Sequence, residues 1–230
     1  MKKTTKMLAI LLAAMTALSG CGGSGTTTTQ TEGKTETTAA AEKTGTETAQ
    51  KGPKDEVVTM AVISSWDTLN IYNTSGNYGN AVADQLFERL VTRTHDGVIE
   101  PRLATEWQIA DDNKSMTFKL AENALWHDGE KLTANDIVFT CKAMTNPDVD
   151  NYYRSAFNVL AGTDDDGVAA DTDQVGVEAV DDYTVKFSFK EPKDQDTILN
   201  AFLSFLYVLP EHILDTGNYA DINNSSFWTS

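Results

Sequence analysis

Asp164-Asp165-Asp166-Gly167, with Asp171 and Asp173 close behind, is the densest run of oxygen ligands in this 230-residue chain. A hard cation such as Ca²⁺ would take carboxylates of this kind. The acids do not alternate as an EF-hand loop requires, and no bidentate Glu closes the set, so the run reads as a solvated acidic loop. His95, His127 and His212 each stand beside a turn or helix-start signal and read as surface or turn side chains. There is no nucleophile elbow, phosphate-cradling glycine loop, zincin helix or paired-cysteine metal site. Without a nucleophile–base pair, the chain reads as a non-enzyme with no cofactor and no metal.

The covalent chemistry sits at Cys21. Lys2, Lys3 and Lys6 precede an apolar run from Met7 to Leu18, which ends in Leu18-Ser19-Gly20-Cys21. That is a charged start, an apolar stretch and a small-residue cleavage site. Its twelve residues would reach roughly 18 Å as a helix, well short of the ~30 Å hydrocarbon core. The pattern resembles a bacterial lipobox. It implies that residues 1–20 are a signal peptide and that Cys21 takes a diacylglycerol thioether as the first mature residue.

Removing the three signal lysines from 18 basic residues leaves 15 against 34 acids, a net charge of −19. Such a chain repels nucleic acid and anionic lipid, so acyl chains must hold it to the membrane. Only Cys141 remains as a second cysteine, which excludes an internal disulfide; it lies in an apolar run and reads as a small buried hydrophobe. Residues 21–55 are a Thr/Glu/Gly-rich stretch without large apolar side chains and read as a disordered tether with a reach of roughly 30 Å. The Thr-rich spacer hints at a Gram-positive surface. Residues 56–230 carry 11 basic and 29 acidic residues, so nearly all the acidity falls on the folded part.

Several elements would position the rest. Residues 57–63 read as a buried strand and residues 64–79 as an ordered loop. A helix follows, with Val82, Leu86, Phe87 and Leu90 at helical spacing. Residues 90–93 and 98–100 flank a turn at His95-Asp96-Gly97. Residues 106–110 and 115–120 alternate in polarity around Asp111-Asp112-Asn113-Lys114, a hairpin. Thr133-Ala134-Asn135-Asp136 begins a helix over residues 137–144 with a capping box. Residues 175–180 and 184–189 read as paired strands, and residues 198–208 form an apolar run.

Read in order, these pieces carry a family pattern. Leu86-Phe87-Glu88-Arg89-Leu90-Val91 leads to Asp96-Gly97, Pro101, Leu103-Ala104 and Glu106-Trp107. Then come Thr117-Phe118-Lys119-Leu120, Trp126-His127-Asp128-Gly129 and Leu132-Thr133-Ala134-Asn135-Asp136-Ile137-Val138-Phe139. Val180-Asp181-Asp182-Tyr183-Thr184-Val185 and Leu209-Pro210-Glu211-His212-Ile213-Leu214 complete the string. It resembles the N-terminal part of family 5 extracellular solute-binding proteins, the oligopeptide, dipeptide and nickel binders of ABC importers. None of its residues is chemically reactive: Gly97, Pro101 and Gly129 punctuate turns, and Trp107 and Trp126 are core candidates. The motif therefore reads as one that maintains a fold.

The resemblance implies an α/β fold, a periplasmic-binding-protein type II lobe (partial) with an inserted β-rich α+β domain. It implies that residues 56–87 begin the first lobe, residues 88–210 form the extra domain, and residues 211–230 return into the lobe and break off. As such an N-terminal fragment, the 230 residues alone are expected to bind peptide too weakly for calorimetry. The implied function is peptide capture for an ABC permease and its ATPase, at the outer face of the membrane. A nickel-chelate, sugar or opine receptor, or a peptide-sensing signalling receptor, is the alternative. By resemblance, Ser75-Gly76-Asn77 pairs with the ligand backbone as an added strand, and Tyr153 borders the cleft. Leu69-Asn70-Ile71 stands where the family usually has Leu-Asp-Pro.

Overall fold

The computed structural model describes residue 61, residues 68–74 and residues 76–229. The signal segment, Cys21, the tether, most of the strand expected at 57–63 and Ser75 lie outside the described residues.

A four-stranded antiparallel sheet of order β3-β4-β6-β5 is the framework: β3 Ala104–Ile109, β4 Ser115–Leu120, β5 Val177–Asp181 and β6 Thr184–Ser188. Alternation dictates its two faces. Met116, Phe118 and Leu120 of β4 and Val185 and Phe187 of β6 are buried, while their neighbours are less so. Register places Met116 opposite Phe187 and Phe118 opposite Val185, so the apolar sets meet on one side. On the solvent side the Lys119 ammonium lies 3.2 Å from Glu106 and that of Lys186 lies 2.8 Å from Glu178. Exposed pairs of this kind contribute only about 0.2–1 kcal/mol each. The β3–β4 turn closes with Asn113 at φ 55°, a left-handed conformation Asn tolerates, while the Lys114 N–H donates to Asp112 Oδ1.

Helix α1 (Asn77–Leu86) precedes a small ribbon of β1 (Val91–Arg93) and β2 (Ile99–Pro101). Two expectations are corrected here. The residues expected as loop up to 79 already enter the helix at Asn77, and the helix stops at Leu86, short of the periodic apolar positions that run to Leu90. Phe87 turns extended (φ −121°, ψ 140°), which delivers the fully buried Leu90 to the ribbon. Pro101, expected at a turn, instead ends β2, where its missing N–H costs no ladder bond.

Helix α2 (Ala134–Thr145) lies against β5 and β6 and buries Ile137, Phe139, Cys141, Ala143 and Met144. Its start is the expected capping box, with the Thr133 N–H donating to Asp136 Oδ2 at 2.8 Å. Cys141 is fully buried, and burial pushes its thiol far above the usual range. Gly167 (φ +81°) closes the acidic loop against the 154–159 turn; a Cβ there would meet the Arg154 carbonyl oxygen at 2.0 Å. Further on, α3 (Gln195–Thr197) runs into a π-turn, Ile198–Phe202, and α4 (Glu211–Leu214) follows Pro210.

A continuous chain of rings joins the sheet to the loop before α1. Phe118 meets Phe187 (5.7 Å), Phe187 meets Phe202 (5.4 Å), and Phe202 meets Phe157 (5.5 Å), each near edge-to-face. Phe157 then contacts Tyr72, and Tyr72 contacts Tyr207, both with centroids 6.3 Å apart. Such pairs add about 0.5–1.5 kcal/mol each beyond burial, so the loop carrying Tyr72 is fixed to the core of the sheet.

Candidate ligand-contact site

Tyr72 is fully buried and makes a reciprocal pair. Its hydroxyl donates to the Tyr207 carbonyl oxygen at 2.7 Å and accepts from the Tyr207 N–H at 2.9 Å. Burial pushes the Tyr72 phenol well above its usual range, so it stays a neutral donor. The backbone around it is shaped by buried Asn70, whose Oδ1 accepts from the Tyr72 N–H at 3.1 Å. From this anchor the chain passes through buried Thr74 to Gly76, which is extended (φ −94°, ψ 141°) and caps α1. Asn77, expected in an extended segment before the helix, is instead its first residue, because the helical ladder already begins with the Asn80 N–H donating to the Gly76 carbonyl oxygen at 3.1 Å. Gly79 lets the first turn close on Thr74, since a Cβ there would stand 2.0 Å from the Thr74 hydroxyl oxygen.

Tyr153 reaches the same place from across the molecule. Its hydroxyl lies 3.1 Å from the Thr74 carbonyl oxygen and 2.9 Å from Asn80 Oδ1. One O–H donates to one acceptor; with the Asn80 amide turned over, its NH₂ donates to the phenol oxygen and both contacts are satisfied. The Tyr153 ring stacks on Phe205, with centroids 5.1 Å apart and planes 20° from parallel. The Tyr153 N–H donates to Asn151 Oδ1, and the Tyr152 N–H donates to the Tyr72 carbonyl oxygen. The structure thus brings Gly76, the start of α1 at Asn77, and Tyr153 together. Thr74, Asn80 and Phe205 connect them; sequence reasoning missed all three, because Asn80 in the first turn of α1, Thr74 before it and Phe205 in a short 3-10 turn carry no distinguishing local signal.

A polar cluster braces the far end of α1. Arg89 pairs with Asp84 and with the Tyr207 hydroxyl, and its guanidinium carbon lies 4.3 Å from the Tyr207 ring centroid. The Tyr207 hydroxyl donates to Asp84 Oδ1 at 2.8 Å, and its phenol is pushed up to about 12, chiefly by burial.

The family-pattern residues converge on a separate junction. The buried Asp136 carboxylate accepts from the Glu211 N–H (2.9 Å) as well as from Thr133, and Thr140 Oγ1 accepts from the Leu209 N–H (2.9 Å). His212 Nε2 lies 2.8 Å from Asp128 Oδ2, and the Trp126 ring rests near the His212 ring. That hydrogen bond from His212 holds the Asp128 carboxyl below the usual range. Segments near 126–129, 133–140 and 209–212 therefore meet as scaffold.

The other candidates resolve into structural roles. Asp164 Oδ1 accepts from the Asp166 and Val168 N–H groups, Asp171 caps the turn at Asp173, and Asp173 pairs with Lys142 at 2.7 Å. Among the described residues, no group of three or more potential ligands could hold a metal ion. His95 is exposed beside Asp96, and His127 is exposed. No helix among the described residues is long and apolar enough to cross a membrane.

Residues 98–229 match the profile of bacterial extracellular solute-binding proteins, family 5 Middle. The periplasmic murein peptide-binding protein MppA of Escherichia coli (strain K12) is 36% identical over 132 residues, which are 55% of this chain and 24% of MppA. Listeria monocytogenes OppA bound to peptide superposes with a TM-score of 0.58 at 27% identity, over 66% of this chain and 30% of that one. Haemophilus influenzae OppA in complex with RPPGFSPFR gives 0.57 at 28% identity, over 68% and 31%. The chain spans about a quarter of the length of the curated relatives it matches.

Proposed function

Because this chain belongs to the family 5 bacterial extracellular solute-binding proteins, we propose that it serves in reversible capture of oligopeptides or dipeptides. Its fold is that of the matched part of type II periplasmic binding proteins, a mixed helix and sheet structure. In this reading residues 56–87 and 211–230 belong to one ligand-holding lobe and residues 88–210 to the inserted domain. Peptide is handed to an ABC permease and its ATPase, with no chemical turnover. A diacylglycerol thioether on Cys21 tethers the chain to the outer face of the membrane, and the Thr-rich spacer favours a Gram-positive surface.

The observation that carries the reading is the clamp around residues 74–80. Two relatives with the same fold hold peptide in their solved structures. In this chain the extended Gly76 lies at the end of a segment braced by Tyr72, Tyr153 and Asn80. In this reading peptide pairs along the backbone beside Gly76, whose own carbonyl oxygen is held by the Asn80 N–H at 3.1 Å. Backbone pairing in the Ser75-Gly76-Asn77 segment would accommodate varied peptide side chains, with Tyr153 as the neighbouring wall.

Variants of the protein produced from its complete reading frame test this. Tyr153→Phe removes both hydroxyl contacts, to Thr74 and to Asn80, each worth about 0.5–1.5 kcal/mol; as part of that loss reaches the ligand, peptide binding is expected to weaken by roughly 2- to 10-fold. Tyr153→Ala also removes the stack on Phe205 and is expected to lose more. Calorimetry reads both. Unchanged affinity in Tyr153→Ala and Asn77→Ala together would retire the site.

A further inference from the structure

Tyr153 is carried by residues 146–153, which connect α2 to the 154–159 turn without forming a helix or strand. One side chain fixes the end of this connection. Asn151 Oδ1 accepts from the Tyr153 N–H at 2.8 Å, and Asn151 Nδ2 donates to the Met144 carbonyl oxygen at 3.0 Å. The first bond closes an Asx turn two residues on. The second satisfies one of the four carbonyls that the last turn of α2 leaves without an intrahelical partner. The two backbone partners also settle which way the amide faces, since one can only donate and the other only accept. Met144 is fully buried, so a half-buried amide ties the backbone of Tyr153 to the core.

We propose that Asn151 is a positioning residue of the peptide site, aiming the Tyr153 phenol and acting on ligand only through it. The inference rests on the peptide reading and names what holds that site's wall in place. A phenol oxygen stands at the far end of its side chain, so a small turn of the Tyr153 backbone displaces it much further. Its contacts leave little room: 3.1 Å to the Thr74 carbonyl oxygen and 2.9 Å to Asn80, with the ring stacked on Phe205. Groups that contact ligand work when held to within roughly 0.5 Å, by residues that need not touch ligand themselves. Asn151 does this from the scaffold side. Helix α2, whose other end is anchored through Asp136 to Thr133 and Glu211, sets the position of the Met144 carbonyl that Asn151 grips.

Trialanine is titrated by calorimetry into the protein from its complete reading frame in four forms: parent, Asn151→Ala, Tyr153→Ala and the double variant. Asn151→Ala is expected to weaken binding by about 3- to 10-fold, the size of one neutral hydrogen bond. Added to Tyr153→Ala it is expected to cost no more affinity, because the group it acts through is already gone. Asn151→Asp keeps the acceptor for the Tyr153 N–H but faces the last carbonyls of α2 with a negative charge. It is expected to melt lower than the parent while holding affinity within about twofold. Asn151→Ser, a shorter side chain with a weaker acceptor, carries the same cycle if the alanine variant does not fold. Equal losses in the two Tyr153 backgrounds, or unchanged affinity in a folded Asn151→Ala, overturn the proposal. So does a loss in Asn151→Asp as large as that in Asn151→Ala. Absence of heat with the parent, or unchanged affinity in Tyr153→Ala, fails the peptide reading first and takes the proposal with it.

Discussion

Replacing Asp136 with Ala is expected to cost about 2–4 kcal/mol, one of the two largest losses predicted for a single side chain. The residue is 3% exposed, and its two carboxylate oxygens serve different segments: Oδ2 accepts from Thr133 at the start of α2, and Oδ1 accepts from Glu211 at the start of α4. Hydrogen bonds to a charged group contribute about 1.5–3 kcal/mol each, and loss of a cap alone costs about 1 kcal/mol. The negative charge also sits favourably at the N-terminus of α2. Asp136→Asn retains one acceptor and no charge, so it should lose roughly half as much. Urea denaturation checks both, with the midpoint falling and the slope unchanged.

The same substitution carries a pH signature. The Glu211 carboxyl is raised above its ordinary range, first by burial and then by the charge of Asp136. A raised carboxyl favours folding in its protonated form, so its contribution is present at acid pH and fades as pH rises through the folded-state value. Removing the Asp136 charge relieves part of that rise. Asp136→Asn should therefore show a smaller decline on the alkaline side of this titration than the parent.

Tyr72→Phe is the second large effect. The substitution keeps the ring and its contacts with Phe157 and Tyr207, so no cavity forms. It deletes one oxygen atom that satisfies both the N–H and the carbonyl of Tyr207 in a fully buried setting. Each buried backbone group left without a partner costs about 1–3 kcal/mol, which gives about 2–4 kcal/mol in total. For a folded part of this size that lowers the melting temperature by about 5–15 °C. A loss below about 0.5 kcal/mol would mean that the loop before α1 relaxes freely, and the clamp at 74–80 would lose its foundation.

These two residues show what a linear reading can and cannot reach. The β3–β4 hairpin was legible because alternation and the Asp111–Lys114 turn are local; the observed strands differ from the expected ones by two residues at the start of β3 and one at its end. Helix α2 was legible for the same reason, since Thr133 and Asp136 stand at capping-box spacing. The sheet order β3-β4-β6-β5 was not, because β6 inserts beside β4 from 64 residues later, and sequence gives no local signal for that pairing. Likewise Tyr72 meets Tyr207 across 135 positions and Asp136 meets Glu211 across 75. The family pattern named the segments that converge at Asp136, Thr140 and His212 without showing that they touch. Helix α1 was misjudged at its C-terminal end because Leu90 keeps helical spacing while serving the ribbon core. Tyr153 was placed at the site by resemblance alone, whereas Asn80, its partner in the first turn of α1, has no feature that separates it from neighbouring asparagines such as Asn73 and Asn77.

Calorimetric titration with two unrelated tripeptides, using the protein from its complete reading frame, tests the central claim most directly. Capture through the backbone predicts that both bind reversibly, with affinities within about tenfold of each other, and that both are recovered intact. Absence of heat from either peptide, or release of cleaved peptide, would contradict the claim.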